Sequence, residues 1–271
     1  MRIQQNARRA YYSTLLFIYN PASIHFSSFY TESLYFFLST VVFLLSNQEN
    51  DWLMIVPIAV ATSLRSNSVL LVPFVLFPSI LSHSTPRQRR TLFFWVKTGV
   101  KMALCVSPLI LYLIVNAAAF CTPSSSWNPL NILFACNGTT IYSSVEEKYW
   151  NVRPFGYYSW NHAGDFLLAT PTILLSVAVI VQAFKEKRLR MMALHLASLL
   201  LTCVLVANVQ IVTRMVLSAS PLYIWGVESF VSRRKGRWIL VYWVGYYWIG
   251  SVVFSLFLPW TYNVCSNKKC T

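Results

Sequence analysis

The chain has 271 residues and a mean hydropathy of +0.52, with 56% hydrophobic and only 11% charged residues. A soluble domain usually carries roughly twice that share of charge, so this composition excludes a soluble globular protein and indicates a membrane protein. The formal charge of +14 lies in short loops between apolar runs. That pattern is typical of the cytosolic loops of membrane proteins and argues against nucleic-acid binding.

Apolar runs separated by polar breaks follow one another along the whole chain. A spanning helix needs about 20 mostly apolar residues, or fewer inside a bundle. The candidate spans are Tyr11–Tyr19, Leu34–Ser46, Leu53–Leu64, Val69–Leu81, Val100–Phe120, Phe166–Phe184, Met191–Val212, Met215–Val231 (broken by Pro221) and Trp238–Leu258. They predict an all-α fold: a polytopic transmembrane helix bundle of about 8–9 membrane segments, formed by a single domain of residues 1–271.

Clusters of basic residues orient these predicted spans. They are Arg87, Arg89 and Arg90, then Lys185, Lys187, Arg188 and Arg190, and finally Arg233, Arg234, Lys235 and Arg237. An even number of candidate spans lies between successive clusters, so all of them can face the cytosol. The loop of residues 121–165 and the segment after Pro259 then face the opposite, lumenal side.

Two features of the predicted lumenal side agree with this orientation. Asn137-Gly138-Thr139 is a sequon for N-glycosylation, although chance occurrence is the alternative. Four cysteines that are disulfide candidates fall on the same side, where disulfides persist. They are Cys121, Cys136, Cys265 and Cys270. Cys105 and Cys203 lie within apolar runs, and we expect them simply to pack.

The first polar break is Asn20-Pro21-Ala22-Ser23. Proline lacks the N–H and disfavours helix at the residue before it, so a regular helix must stop here. Freed backbone groups at membrane depth need protein or a water-filled cavity, and we expect this segment to cap a helix beside a polar cleft. A simple turn is the alternative. Behind it, Glu32 follows Tyr30 and would orient a sugar hydroxyl or a partner side chain, or lie at a helix end near the interface.

A second polar break, Arg65-Ser66-Asn67, lies where the Leu53–Leu64 run should reach the lumen. A guanidinium there suits bidentate capture of a phosphate or diphosphate. The alternative is an anchor at the membrane interface. Gln210 and Arg214 flank another helix end that is predicted to lie on the same side.

The lumenal loop carries Trp150 and Asn151 and continues through an aromatic stretch to Asp165. Flat rings and amide groups together are what a carbohydrate site uses, and an aromatic belt at the membrane surface is the alternative. The sequence has no metal-ligand spacing, CxxC pair, phosphate-binding loop or dinucleotide fingerprint, so it predicts no metal and no cofactor. An enzyme and a lipid or sugar transporter (flippase) both remain open from these residues.

The quoted residues carry a resemblance to a known family. The chain resembles the PIG-V family of mannosyltransferases of the endoplasmic reticulum. The similar stretches, in order, are Asn20–Leu34, Arg65–Asn67, Tyr149–Val152, Phe166–Pro171, Thr213–Tyr223 and Pro259–Thr261. The resemblance implies a GT-C type membrane glycosyltransferase that takes mannose from dolichyl-phosphate-mannose in the lumen. It would add the second mannose, α1,6-linked, to the GPI-precursor glycolipid, with a small membrane subunit as a further partner.

The resemblance also gives roles to residues of this sequence. Arg65 or Arg214 would hold the donor phosphate, while Asn67, Trp150 and Asn151 would shape the sugar site. Glu32 would support another side chain rather than act as the base. The full set of substrate-binding candidates is Asn20, Ser23, Tyr30, Glu32, Arg65, Asn67, Trp150, Asn151, Gln210 and Arg214.

One departure from the family concerns the catalytic base. The resemblance implies an essential acidic residue in a first lumenal loop ahead of the Asn20-Pro21 stretch. None of the nineteen residues before Asn20 is acidic, so the catalytic base stays unassigned. We therefore expect the N-terminal helix and first lumenal loop to be missing and the chain as written to be inactive. An inactive fragment of the family is thus an alternative to the active enzyme, as is the transporter.

Overall fold

A computed structural model describes residues 7–27, 30–46, 51–76, 92–120, 140–141, 143–145, 155–207, 209–232 and 236–257. No strand occurs in these ranges. The α-helices are α1 (Ala7–Ile18), α2 (Ser23–Ser27), α3 (Glu32–Leu45), α4 (Ile55–Leu64), α5 (Leu92–Phe120), α6 (Ala163–Phe184), α7 (Arg190–Leu205), α8 (Val212–Ala219), α9 (Pro221–Val231) and α10 (Arg237–Phe257). Short 3₁₀ helices include Asp51–Met54, Ser66–Leu71, Trp160–His162, Lys187–Leu189 and Val209–Ile211.

Three helical segments are long and apolar enough to cross a membrane. They are Leu92–Phe120, Trp160–Phe184 and Lys187–Leu205. Shorter apolar helices run over Glu32–Leu45, Trp52–Leu64 and Ser66–Leu76. The all-α class is therefore confirmed over the described part of the chain, while the number of eight to nine membrane segments stays a prediction.

The structure revises two of the predicted span limits. The run Met191–Val212 is not one helix, because α7 ends at Leu205 and a 3₁₀ turn precedes α8 at Val212. Helix α5 begins at Leu92 rather than Val100 and so takes in Lys97 besides Lys101. The ammonium groups of Lys97 and Lys101 lie 5.9 and 5.2 Å from the centroid of the Trp52 ring. The aromatic ring offers the two cations a favourable contact, so they can lie within the helix.

The break at Pro221 is confirmed and has a local cause. Ser220 has an extended backbone (φ −125°, ψ 99°), which ends α8 and starts α9. Pro221 occupies the first turn of α9, where its missing N–H leaves no hydrogen bond unmade and its fixed φ suits the helix. This break separates α8, which carries Arg214, from α9.

The chain divides into two compact units, residues 1–40 with 157–271, and residues 41–156. In the first, α9 packs closely on α6: a Cβ on Gly226 would lie 2.4 Å from Val179 Cγ2, so only glycine permits this approach. The Trp243 indole N–H donates to the Leu16 carbonyl at 3.1 Å and so joins α10 to α1. The predicted single domain of residues 1–271 stays a prediction.

The second unit is built around α4 and α5. The Thr62 hydroxyl of α4 donates to the carbonyl of Cys105 in α5 at 2.7 Å. The Phe43 and Phe74 rings stack with centroids 5.0 Å apart. Cys105 here and Cys203 in the first unit are both buried, so the prediction that these cysteines pack is confirmed.

Candidate functional site

The centre of the first unit holds a buried ion pair between helices that are far apart in sequence. Arg214 of α8 donates from Nε to Glu32 Oε1 at 2.6 Å, and its Nη2 lies 2.5 Å from the same oxygen. Glu32 is fully buried, whereas the Arg214 side chain is 27% exposed. A buried carboxylate is costly without a cationic partner, so Arg214 is what makes the position of Glu32 tolerable.

Aromatic rings complete the surroundings of this guanidinium. Its carbon lies 4.2 Å from the centroid of the Tyr30 ring, in cation–π contact. The Tyr30 ring in turn meets the His25 ring edge to face at 5.6 Å. We call His25, Tyr30, Glu32 and Arg214 the Arg214 cluster. Because Glu32 and Tyr30 fix the guanidinium from two directions, its orientation is set by the fold.

The Asn20 turn is attached to the same helix that carries Arg214. The fully buried Asn20 accepts from the Ala22 N–H through Oδ1 at 2.8 Å and donates from Nδ2 to the Leu217 carbonyl at 3.5 Å. Its own carbonyl accepts from the Ser23 N–H at 2.8 Å, where α2 begins. Leu217 lies one helical turn after Arg214, so the Asn20 side chain joins the α1–α2 turn to α8, while Ser23 bonds within that turn.

A polar network adjoins Arg214 and was not predicted from the sequence. Thr172 of α6 is hydrogen-bonded to Thr213 at 3.2 Å and to the Tyr242 hydroxyl at 3.0 Å. These residues come from three helices whose sequences read as plain apolar spans, so only their packing brings the hydroxyls together. The network holds α8 against α6 and α10 immediately beside Arg214.

A second cluster of titratable residues lies at the start of α6. The Tyr157 hydroxyl donates to Asp165 Oδ2, and His162 Nδ1 lies 3.3 Å from the same oxygen. The Tyr157 and His162 rings stack at 3.9 Å. Burial, together with the hydrogen bond to Asp165, raises the pKa of Tyr157 above its usual value. We call Tyr157, His162 and Asp165 the Asp165 cluster; the sequence drew attention to Asp165 but gave His162 no role.

Arg65 and Asn67 lie in the second unit. Arg65 is extended (φ −150°, ψ 137°) between the end of α4 and the 3₁₀ helix that contains Asn67. The Arg65 N–H donates to the Ala61 carbonyl at 3.0 Å, and the Ser68 hydroxyl donates to the same carbonyl at 2.7 Å. Both candidate side chains are partly buried. Their predicted roles with phosphate and sugar stay predictions.

The remaining candidates fall mostly outside the described residues. Gln210 lies in the 3₁₀ helix Val209–Ile211. The candidates outside the described residues are Trp150, Asn151, the sequon Asn137 and the cysteines Cys121, Cys136, Cys265 and Cys270. Within the described ranges, no three His, Cys, Asp or Glu side chains come together in a way that would hold a metal ion.

Comparison with known proteins decides the family. The family model described as mannosyltransferase (PIG-V) matches residues 1–194. The chain belongs to this family. The resemblance noted from the sequence motifs is thereby confirmed, and the PIG-V family is one of glycosyltransferases. The match takes in Asn20, Glu32 and Arg65, whereas Arg214 follows it in the chain.

Curated relatives extend the similarity over most of the chain. GPI mannosyltransferase 2 of Drosophila pseudoobscura pseudoobscura is 25% identical, over 96% of this chain and 69% of the relative. The same-named protein of Schizosaccharomyces pombe is 26% identical, over 95% and 58%. GPI alpha-1,6-mannosyltransferase 2 of Cricetulus griseus is 26% identical, over 80% and 55%. The chain thus spans between 55% and 69% of the length of these relatives. No solved structure matches it.

Proposed function

We propose that this PIG-V family chain is a mannosyltransferase of GPI-anchor biosynthesis. It transfers the second mannose, in α1,6 linkage, from dolichyl-phosphate-mannose to the GPI-precursor glycolipid. The reaction takes place at the lumenal face of the endoplasmic reticulum membrane, where a small membrane subunit is a further partner. Family membership supports the reaction class, and the names of the relatives support the acceptor and the linkage.

The observation that carries this proposal is the partly exposed, oriented guanidinium of Arg214. Arginine has five N–H donors, and here Glu32 engages only Nε and Nη2. Within the described part of the chain, the Nη1 group therefore remains for a ligand. A guanidinium is well matched to phosphate oxygens, and one that is already fixed loses little side-chain freedom on binding. We assign Arg214 to the phosphate of the lipid-linked donor.

This assignment gives Arg214 a defined part in the transfer. The acceptor hydroxyl gives its proton to a carboxylate base, which stays unassigned, and its oxygen attacks C1 of the mannose. The bond from C1 to the phosphate oxygen breaks, and its electron pair leaves with the lipid phosphate. Negative charge grows on the phosphate in the transition state. A cation that is already in place stabilises that charge without reorganisation. Glu32 and Tyr30 act through Arg214 as positioning residues.

The helix packing supports a position for Arg214 away from the basic loop that was predicted to be cytosolic. Thr213, its neighbour, contacts Thr172 of α6. Thr172 lies seven residues after Asp165 at the start of α6 and twelve before Phe184 at its end. At about 1.5 Å per helical residue, Thr172 is nearer the start of α6, which was predicted to be lumenal. The exposed Lys185 follows the other end of that helix.

Substitution of Arg214 by lysine tests the proposal. Lysine keeps the charge for Glu32 but loses the planar fork, so the rate of mannose transfer should fall by roughly tenfold to a hundredfold. The measurement is mannose transfer from dolichyl-phosphate-mannose in microsomes from cells that lack the endogenous enzyme. Arg190→Lys is the matched control, because Arg190 is exposed at the start of α7 and donates to the Phe184 carbonyl. Equal transfer by Arg214→Lys and Arg190→Lys, at a level above that of the deficient cells alone, would reject the role in phosphate binding. No transfer above that level by the unmodified chain would instead support the inactive-fragment alternative.

A further inference from the structure

The segment before α6 is fixed to the rest of its unit at a point next to the Asp165 cluster. The Tyr158 hydroxyl donates to the Val204 carbonyl near the end of α7 at 3.0 Å. The Tyr158 ring also packs against Phe166 at 5.1 Å. Tyr157 and His162, on either side of this anchor, are therefore held in place before any ligand arrives.

The Asp165 cluster has hydrogen-bonding capacity left over. Tyr157 and His162 both bond to Oδ2 of Asp165, so among the described residues Oδ1 remains able to accept a hydrogen bond. His162 uses Nδ1 for that contact, which leaves Nε2. The side chains of His162 and Asp165 are 27% and 25% exposed. The cluster thus presents acceptors, and a second ring nitrogen, to a ligand from outside.

An exposed indole lies next to these polar atoms in the chain. Trp160 is 94% exposed and occupies the same 3₁₀ helix as His162. The flat apolar face of an indole suits the C–H face of a sugar ring, while carboxylate and imidazole groups suit its hydroxyls. An interfacial anchor explains an exposed Trp by itself. It does not explain why a hydrogen-bonded carboxylate and imidazole follow within five residues of it in the chain.

The charge of the segment selects the kind of ligand. No Lys or Arg occurs from Phe155 to Phe184, and Asp165 supplies a carboxylate. A phosphate or other anion is therefore disfavoured, in contrast to the Arg214 cluster. Hydroxyl groups, which donate to carboxylate and imidazole acceptors, are favoured.

We propose that Trp160, His162 and Asp165 form a binding subsite for a neutral saccharide, and that this saccharide is the glycan of the lipid-linked acceptor. The identity of the saccharide as the acceptor glycan rests on the proposed function. The binding of a neutral sugar does not. Tyr157 is the positioning residue of the subsite, because it holds Asp165 and stacks on His162.

Saturation-transfer NMR on the purified chain in detergent tests the subsite directly. The probe is methyl α-mannoside, with mannose 6-phosphate as the charged comparison. The neutral sugar should give the stronger signal. Trp160→Ala and Asp165→Asn should each lower the signal of the neutral sugar by roughly fivefold to tenfold, since each removes one contact of the subsite. Trp160→Ala removes an almost fully exposed side chain and leaves the fold in place.

Two control variants show whether a lost signal is specific to this subsite. Trp238→Ala removes another exposed tryptophan, 62% exposed at the start of α10, and should keep the signal. Arg214→Lys should keep it too, because Arg214 is assigned to the donor phosphate. Loss of transfer in Arg214→Lys together with full sugar binding in Asp165→Asn would overturn the subsite alone. Full transfer in Arg214→Lys together with loss of sugar binding in Asp165→Asn would overturn the donor assignment alone.

Several outcomes contradict the subsite. Absence of saturation transfer to methyl α-mannoside in the unmodified chain is one. Equal signals from the unmodified chain, Trp160→Ala and Asp165→Asn are another. Loss in only one of these two variants would show that the indole and the carboxylate do not share a ligand. A stronger signal for mannose 6-phosphate would contradict the selection by charge.

Discussion

The Arg214 cluster and the Asp165 cluster are built from similar parts and differ in burial. Each has a carboxylate in the first turn of a helix, Glu32 in α3 and Asp165 in α6, where the helix dipole favours negative charge. Glu32 is fully buried and pairs with an arginine 182 residues away. Asp165 is 25% exposed and pairs with Tyr157 and His162, both within eight residues.

This difference underlies the different ligands that we propose for the two clusters. One oxygen of Glu32 fixes the guanidinium of Arg214, and in the proposal that cation meets the donor phosphate. Asp165 contacts Tyr157 and His162 through one oxygen and is 25% exposed, so in the proposal its carboxylate meets the sugar itself. Position at a helix start is therefore the same in both cases, while tertiary burial decides whether the acid orients a partner or meets the ligand itself.

The largest expected effect is loss of stability when Arg214 is removed. Arg214→Ala leaves a fully buried carboxylate without its cation, which typically costs roughly 3–5 kcal/mol. Glu32→Ala should cost less, because the Arg214 side chain is partly exposed and keeps its contact with Tyr30. Thermal unfolding of the two variants in detergent measures both losses of stability, with the folded fraction at each temperature read by size-exclusion chromatography. The double variant Glu32→Gln with Arg214→Gln should recover more than half of the loss, and no recovery would contradict the buried ion pair.

A smaller effect is expected at Asn20. Asn20→Ala leaves the buried Ala22 N–H and the Leu217 carbonyl without this partner, at a cost of about 1–3 kcal/mol in unfolding free energy. The matched control is Asn116→Ala, because the Asn116 amide donates to the Tyr112 carbonyl on an exposed face of α5. That variant should stay within about 0.5 kcal/mol of the unmodified chain. Equal melting temperatures for the two variants would mean that the Asn20 turn does not support α8.

The smallest effect concerns Tyr157 and depends on pH. Its pKa is raised by burial and by the hydrogen bond to Asp165, so between pH 6 and 9 the hydroxyl stays protonated and donates. Tyr157→Phe should lower the unfolding free energy by about 1 kcal/mol in that range. Above about pH 10 the unfolded tyrosine ionises while the folded one resists. Stability from this residue is therefore present below pH 10 and lost as the pH rises through the raised pKa.

Thermal melts of the unmodified chain and of Tyr157→Phe, taken at several pH values, check this sign. The difference between the two should be constant from pH 6 to 9 and should shrink at higher pH. A difference that instead grows above pH 10 would mean that the folded protein favours the ionised tyrosine. An ionised Tyr157 beside Asp165 would then need a nearby cation to stabilise it, and the described residues of α6 include no Lys or Arg.

Much of the local structure follows from the sequence. The apolar runs predict the helices of the described part, and Ser220-Pro221 predicts the break between α8 and α9. The limits of α5 and α7 do not follow. The start of α5 is missed because Lys97 reads as a polar flank until Trp52 is placed beside it. The end of α7 at Leu205 lies inside a continuous apolar run. Neither the start of α5 nor the end of α7 is marked by a strong signal in the local sequence.

The candidate site, too, could be predicted from the sequence only in part. The sequence by itself determined the helical class, the family, Asn20 and most residues of the Arg214 cluster. Asn20, Tyr30, Glu32 and Arg214 stand out as polar groups in apolar surroundings. Only the tertiary structure decided that Glu32 pairs with Arg214, that Asn20 holds α8, and that Thr172 and Tyr242 meet beside them. The reason is physical: helix formation and burial preference are properties of neighbouring residues. A hydrogen bond across 182 residues exists only once the packing of several helices has fixed the distance between its atoms.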